Sequence, residues 1–175
     1  DKDAEITKTF FQTVQNKLHW AITGMTAAQI IAKRADASKP NMGLQTWKNG
    51  TKGKILKTDV SVAKNYLNEK EIKELERVVS MYLDYAENQA ERMVPMKMVD
   101  WVKKLDAFLR FNEYQILKDA GKISHELAKK QSEGEYEKFR VVQDREFESD
   151  FDVEVKKILR KSSQPADKKK KKDNN

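Results

Sequence analysis

The sequence predicts an all-α fold: a helical bundle built on a long antiparallel helical hairpin, with one long irregular basic loop. Three observations carry that expectation. Apolar residues recur at three- and four-residue spacing over most of the chain, the period of an amphipathic helix. Two capping signatures, Thr26 with Gln29 and Asn68 with Glu71, mark helix starts. Strand signals are absent throughout, and no repeat of solenoid length appears.

The elements follow in order. Ile6, Phe10, Val14, Leu18 and Ile22 recur every four residues and predict a first helix that Gly24 ends. The box of Thr26 and Gln29 opens a short helix burying Ile30 and Ile31, which dissolves before Pro40 because a residue preceding proline is pushed out of the α region. Residues 36–57 then form the loop, and a short helix is expected near Asp59 with Val60, Ala63 and Leu67 inward. Asn68 starts a long helix to about Met93, with Ile72, Leu75, Val79, Tyr82, Ala86 and Met93 close to a heptad seam.

Val94-Pro95 breaks the chain, and a second long helix is expected from about Lys97 to Lys118 on the stripe Met98, Trp101, Leu105, Phe108 and Ile116. Two such helices joined by a short break should fold back on one another. Gly121 marks an end, and Ser124 is a candidate N-cap for a helix that Gly134 is expected to kink or break. That stretch carries Leu127, Tyr136, Phe139, Val142 and Phe147. Ser149 and Asp152 could cap a last helix beginning near Asp150, bearing Phe151, Val155 and Leu159. Residues 1–161 are thus expected to be a single helical domain. The tail 162–175, with its five consecutive lysines Lys168 to Lys172, is too polar to bury surface and is expected to be disordered.

Composition narrows the function. The net charge is +7, and residues 1–66 hold 11 basic against 5 acidic side chains while residues 67–161 hold 19 against 21. Such asymmetry suits either an anionic partner facing the N-terminal third or a solvated, lysine-rich surface. No cysteine is present, which excludes disulfides, thiolate metal sites and thiol nucleophiles and suits a cytoplasmic location. No apolar run approaches the roughly 20 residues that span a bilayer, so no membrane role is expected. The chain opens on Asp1 rather than methionine, as a piece of a longer protein would.

The tests for chemistry return little. His19 and His125 lie over a hundred residues apart, and neither has a carboxylate at a ligand-like helical spacing. Helix-surface or capping roles are their default, and neither a metal nor a cofactor is expected. The glycines of GTKGK are too close together for a phosphate loop, and Ile55 stands where that motif needs Ser or Thr. No Ser or Thr has an evident base, so whether the chain is an enzyme stays open.

The loop is the candidate site. A connection of some twenty residues inside a compact domain is unusual and tends to be functional or disordered, and the anchors Met42, Leu44 and Trp47 argue against disorder. Arg34, Asp36, Lys39 and Asn41, four polar residues of different chemistry around one proline, could line a pocket. Lys48, Lys52 and Lys54, with Arg34, Lys39 and Lys57, could contact phosphates while Trp47 stacks on a base. Alternatively Trp47, Leu44 and Met42 pack the loop onto the bundle as a cover, with Asp36 and Asn41 as turn residues.

The runs FFQTVQNKLHWAITGMTAAQIIAKRADASKPNMGLQTWKNG and SVAKNYLNEKEIKELERVVSMYLDYAENQAE, then MVDWVKKLDAFLRFNEYQIL, AGKISHELAK and EYEKFR, resemble the virulence-associated RhuM family over roughly residues 5–159. RADASKPNMGL and AKNYLNEKE are the most specific stretches. The resemblance implies the C-terminal part of a protein about twice this long, linked to bacterial virulence loci rather than to an activity. Some members are described as DNA-binding, and others are described together with Fic/Doc proteins. This chain lacks the H-P-F-x-[DE]-G-N signature of Fic nucleotidyl transfer, so that activity is not implied. The expectation is a protein-interaction or self-association module in a nucleic-acid-associated protein, with weak nucleic-acid binding of its own. The alternative is a small-ligand-binding or catalytic domain using Arg34 to Asn41 with His19 and Trp20 nearby.

Overall fold

A computed structural model describes residues 2–50, 53–119, 121–147 and 150–162. Among them are six α-helices and no strand: α1 Lys2–Thr23, α2 Ala27–Arg34, α3 Glu69–Glu91, α4 Met98–Phe111, α5 His125–Glu146 and α6 Asp150–Ser162. Three short 3-10 turns, Pro40–Gly43, Asp59–Ser61 and Ala63–Tyr66, punctuate the long connection between α2 and α3. The all-α bundle expected from periodicity is what forms.

The helix starts obey local chemistry. Thr26 Oγ1 accepts from Gln29 N while Thr26 N donates to Gln29 Oε1 at 2.9 Å, the reciprocal box that fixes α2. Asn68 and Glu71 do the same for α3, at 2.9 Å in both directions. Ser124 accepts from Leu127 N and caps α5. Each cap supplies an acceptor to an amide that has no carbonyl one turn earlier.

The side chains pack into two clusters. In the first, Ile30 and Ile31 of α2 meet Met42, Leu44 and Ile55 of the long connection, Val60 and Tyr66 of the turns, and Ala128 and Tyr136 of α5. The second joins α1, α3 and α4 through Leu18, Val78, Leu105 and Leu109. Leu75 packs against both. The α3–α4 hairpin is present, with Tyr82 Oη donating to Trp101 O at 2.6 Å and the Tyr82 and Phe108 rings 5.4 Å apart. It is not free-standing, since α1 lies against both of its helices.

Several boundaries differ from the sequence expectation. The helix expected to reach Lys118 stops at Phe111, because Glu113 turns left-handed (φ 62°) and the amides of Glu113 and Tyr114 close onto the carbonyls of Arg110 and Leu109. That pair of bonds is a Schellman cap. Likewise α3 stops at Glu91, and Met93, expected on the buried seam, is instead 88% exposed and left-handed. Its amide and that of Val94 bond to the carbonyls of Ala90 and Gln89. The helix near Asp59 is two 3-10 turns. Gly134 does not break α5, which runs through it without interruption. Ile6, Leu127, Val142 and Leu159, expected on apolar stripes, are exposed. Ser149 and, beyond Ser162, the expected tail lie outside the described residues.

Candidate functional site

The long connection between α2 and α3 packs onto the first core. At its start Asn41, Met42 and Gly43 are all left-handed, with φ of 52°, 60° and 83°. This hook turns the Met42 side chain fully into the first core. A Cβ on Gly43 would sit 2.3 Å from the Arg34 carbonyl oxygen, so only glycine lets the chain pass there. Farther along, the buried carboxylate of Asp59 accepts from Lys48 N at 3.2 Å and Leu56 N at 2.8 Å, holding the second bend closed.

The connection is then fastened to α5. Ile55 N donates to Gln143 Oε1 at 2.8 Å, and Gln143 Nε2 returns a bond to Ile55 O at 3.1 Å, so one carboxamide serves as the missing backbone partner. Ala37 N donates to Glu135 Oε2 at 2.9 Å. Lys54 Nζ lies 2.9 Å from Asp144 and 5.0 Å from the centre of the Phe147 ring, and Lys57 Nζ lies 3.2 Å from Glu137.

These contacts keep Asp36, Lys39 and Asn41 together in the hook and leave Arg34, Trp47, Lys48 and Lys54 with different partners. The Arg34 guanidinium donates from Nη1 and Nη2 to both carboxylate oxygens of Glu71, at 2.7 and 2.6 Å, and from Nη1 to Tyr66 O at 2.7 Å. Asp36 accepts from the amide and hydroxyl of Ser38 at 3.0 and 2.6 Å, and the hydroxyl bond holds its pKa below the ordinary value. Lys39 lies 3.6 Å from Asp36, and Asn41 is exposed. Trp47 is half-buried against the first core, its Nε1 donating to Gly53 O at 2.8 Å. Lys48 and Lys54 do not share a partner, and Lys52 lies outside the described residues.

Arg34 and Glu71 form a bidentate, partly buried pair. The Arg34 hydrogen bonds hold the Glu71 carboxyl below its ordinary value, and Glu71 raises the pKa of Arg34. A depressed carboxylate pKa adds stability above the ordinary value of 4.5, lost as the pH falls through the folded value. Glu71→Gln is therefore expected to cost about 1.5–3 kcal/mol at pH 7, the scale of hydrogen bonds to charged groups. Urea midpoints should show that gap closing toward pH 3; an undiminished gap would remove the ion pair from the explanation.

A cleft lies elsewhere. It encloses about 570 Å³ between α1, α2, the two 3-10 turns Asp59–Ser61 and Ala63–Tyr66 and the start of α5, and no described residue from Arg34 to Lys57 lines it. Instead it gathers His19 and His125, which sequence separation alone gave no reason to connect. Among the described residues no group of three or more His, Cys, Asp and Glu side chains could hold a metal ion, and no helix is long and apolar enough to cross a membrane.

The second feature that the sequence did not announce is the corner between α3 and α4. Met93, Val94, Met98 and Val99 are all exposed there, and Phe111 at the far end of α4 is 87% exposed. The outer side of α3 toward this corner carries exposed Asp84, Glu87 and Glu91 and ends on exposed Arg92; α4 carries exposed Lys103 and Lys104 and, at its far end, Arg110. None of these seven forms an ion pair among the described residues.

Comparison with curated proteins and with solved structures returned no match. A family model described as the Virulence protein RhuM family matches residues 1–148, and with most of its length inside that match the chain belongs to the RhuM family.

Proposed function

We propose that this chain is a self-association domain of a RhuM-family virulence protein, two copies meeting through the corner between α3 and α4. The observation that carries the reading is Met93. A residue with a side chain in left-handed conformation costs about 1–2 kcal/mol, and Met93 bears that cost while 88% exposed. Glycine would cap α3 at lower cost. An unfavourable backbone and an unburied thioether at one position are explained if a contact recovers both. Val94, Met98 and Val99 extend the apolar surface, and methionine adapts its shape to a facing surface.

The charges favour a second copy as the occupant. In a two-fold contact each chain offers the same patch, so the carboxylates of α3 from one copy can face the lysines of α4 from the other. Nucleic acid at the loop is the less favoured partner, because Lys54 and Lys57 already face carboxylates of α5.

Sedimentation velocity of the chain and of Met93→Gly tests this. The parent should show a concentration-dependent dimer. Met93→Gly should sediment as a monomer with a melting temperature equal to or above the parent's, since glycine suits the cap. A parent that stays monomeric, or a variant that dimerises as well as the parent, would overturn the reading.

A further inference from the structure

His19 is the least explained polar group in the fold. It is 8% exposed, and its Nδ1 is buried with no hydrogen-bond partner among the described residues. Buried polar atoms are nearly always paired, so an orphan of this kind calls for a partner the chain itself does not supply. The ring forms part of the wall of the 570 Å³ cleft, whose size falls within the roughly 300–1,000 Å³ of small-molecule sites.

The chemistry of the walls narrows the ligand. From α1 come the carboxamides of Gln12, Gln15 and Asn16 on the same stretch as His19. Asn16 Oδ1 already accepts from Ala27 N at 3.1 Å, which leaves its NH₂ as a donor. Ser124, His125 and Glu126 face in from the start of α5, and Ile31, Val62 and Ile123 supply apolar surface. Among the described residues of the wall the charged side chains are Lys64 and Glu126, one of each sign, so these residues give no net charge to attract an anion. Burial pushes the His19 pKa down to about 4, so near neutral pH the ring offers one N–H and one lone pair rather than a cation.

We propose that this cleft is a binding site for a small, uncharged heterocycle with adjacent hydrogen-bond donors and acceptors, of the nucleoside class, with the unpartnered His19 among its buried polar contacts. Carboxamides pair with adjacent donor and acceptor groups on a base edge, as asparagine and glutamine do with adenine. The apolar residues offer a surface to the ring face. The site shares no residue with the α3–α4 corner, so it stands whether or not the chain self-associates.

The chain has two histidines, so its imidazole proton signals are simple to follow by NMR. Adenosine, guanosine, cytidine and uridine are each titrated into the protein near neutral pH, with inorganic phosphate as the control. At least one nucleoside should shift the His19 signal saturably, and phosphate should leave it in place. Gln12→Ala with Gln15→Ala alters two exposed positions. That double variant should keep the melting temperature and weaken binding by about tenfold or more, the effect of about 1.4 kcal/mol. Absence of a saturable shift with all four nucleosides, displacement by phosphate, or undiminished affinity in the double variant would each overturn the site.

Discussion

Leu105→Ala should lower stability by about 2–5 kcal/mol, the usual range for truncating a buried leucine. Leu105 is 0% exposed at the centre of the second core, where α4 meets Leu18 of α1 and Val78 of α3. Removing three carbons there loses their transfer energy and leaves a cavity that three helix backbones cannot easily close. For a chain of this size each kcal/mol corresponds to about 2–4 °C in melting temperature. Leu83→Ala is the matched control, because Leu83 is exposed on α3 and should change stability by about 0.5 kcal/mol at most. If thermal or urea unfolding gave both variants the same small effect, α1, α3 and α4 would not share this core.

Gly43→Ala should be as damaging, for a different reason. Its φ of 83° costs any other residue about 1–2 kcal/mol. The new methyl would also approach the Arg34 carbonyl oxygen to 2.3 Å, a backbone atom that cannot rotate away. Displacing the end of α2 would disturb the guanidinium bonds to Glu71 and Tyr66, and overpacking of this kind costs about 1–3 kcal/mol more. Gly134→Ala should go the other way. A Cβ there meets nothing within 4 Å, and the swap removes a helix-interior glycine penalty of about 1 kcal/mol. Equal midpoints for Gly43→Ala and the parent in urea would mean that the left-handed hook at Asn41 to Gly43 is not maintained in solution.

What the sequence made legible is local. Thr26 with Gln29 and Asn68 with Glu71 are readable because a cap and its partner lie three residues apart. The helix end at Glu113 was not readable, because glycine is the usual sign of a left-handed C-cap and Glu113 is not glycine; the end near Met93 was placed to within two residues, but not its left-handed cap. Gly134 misled in the opposite sense, since packing along α5 absorbs a propensity penalty of that size.

The candidate loop shows the same division. Its length and anchors marked it as built rather than loose, and Trp47 does pack against the core. Its fastening depends on Ile55 with Gln143 and Lys54 with Asp144, pairs 88 and 90 residues apart, which no window-based periodicity can join. Glu71 was visible as a cap, yet its role as the counter-ion of Arg34 appears only when α2 and α3 are brought side by side. The meeting of His19 and His125 at one cleft is likewise a property of the folded chain.

Leu75 touches both apolar clusters, one turn of α3 after Glu71 has tied that helix to α2. The start of α3 is therefore common to both halves, and neither can melt while the other keeps this helix in register. The consequence is cooperativity: a chain with two cores would otherwise have two units free to open separately, and the shared helix merges them into one. Amide hydrogens around Leu75 are then the last to exchange with solvent, whichever half is destabilised first.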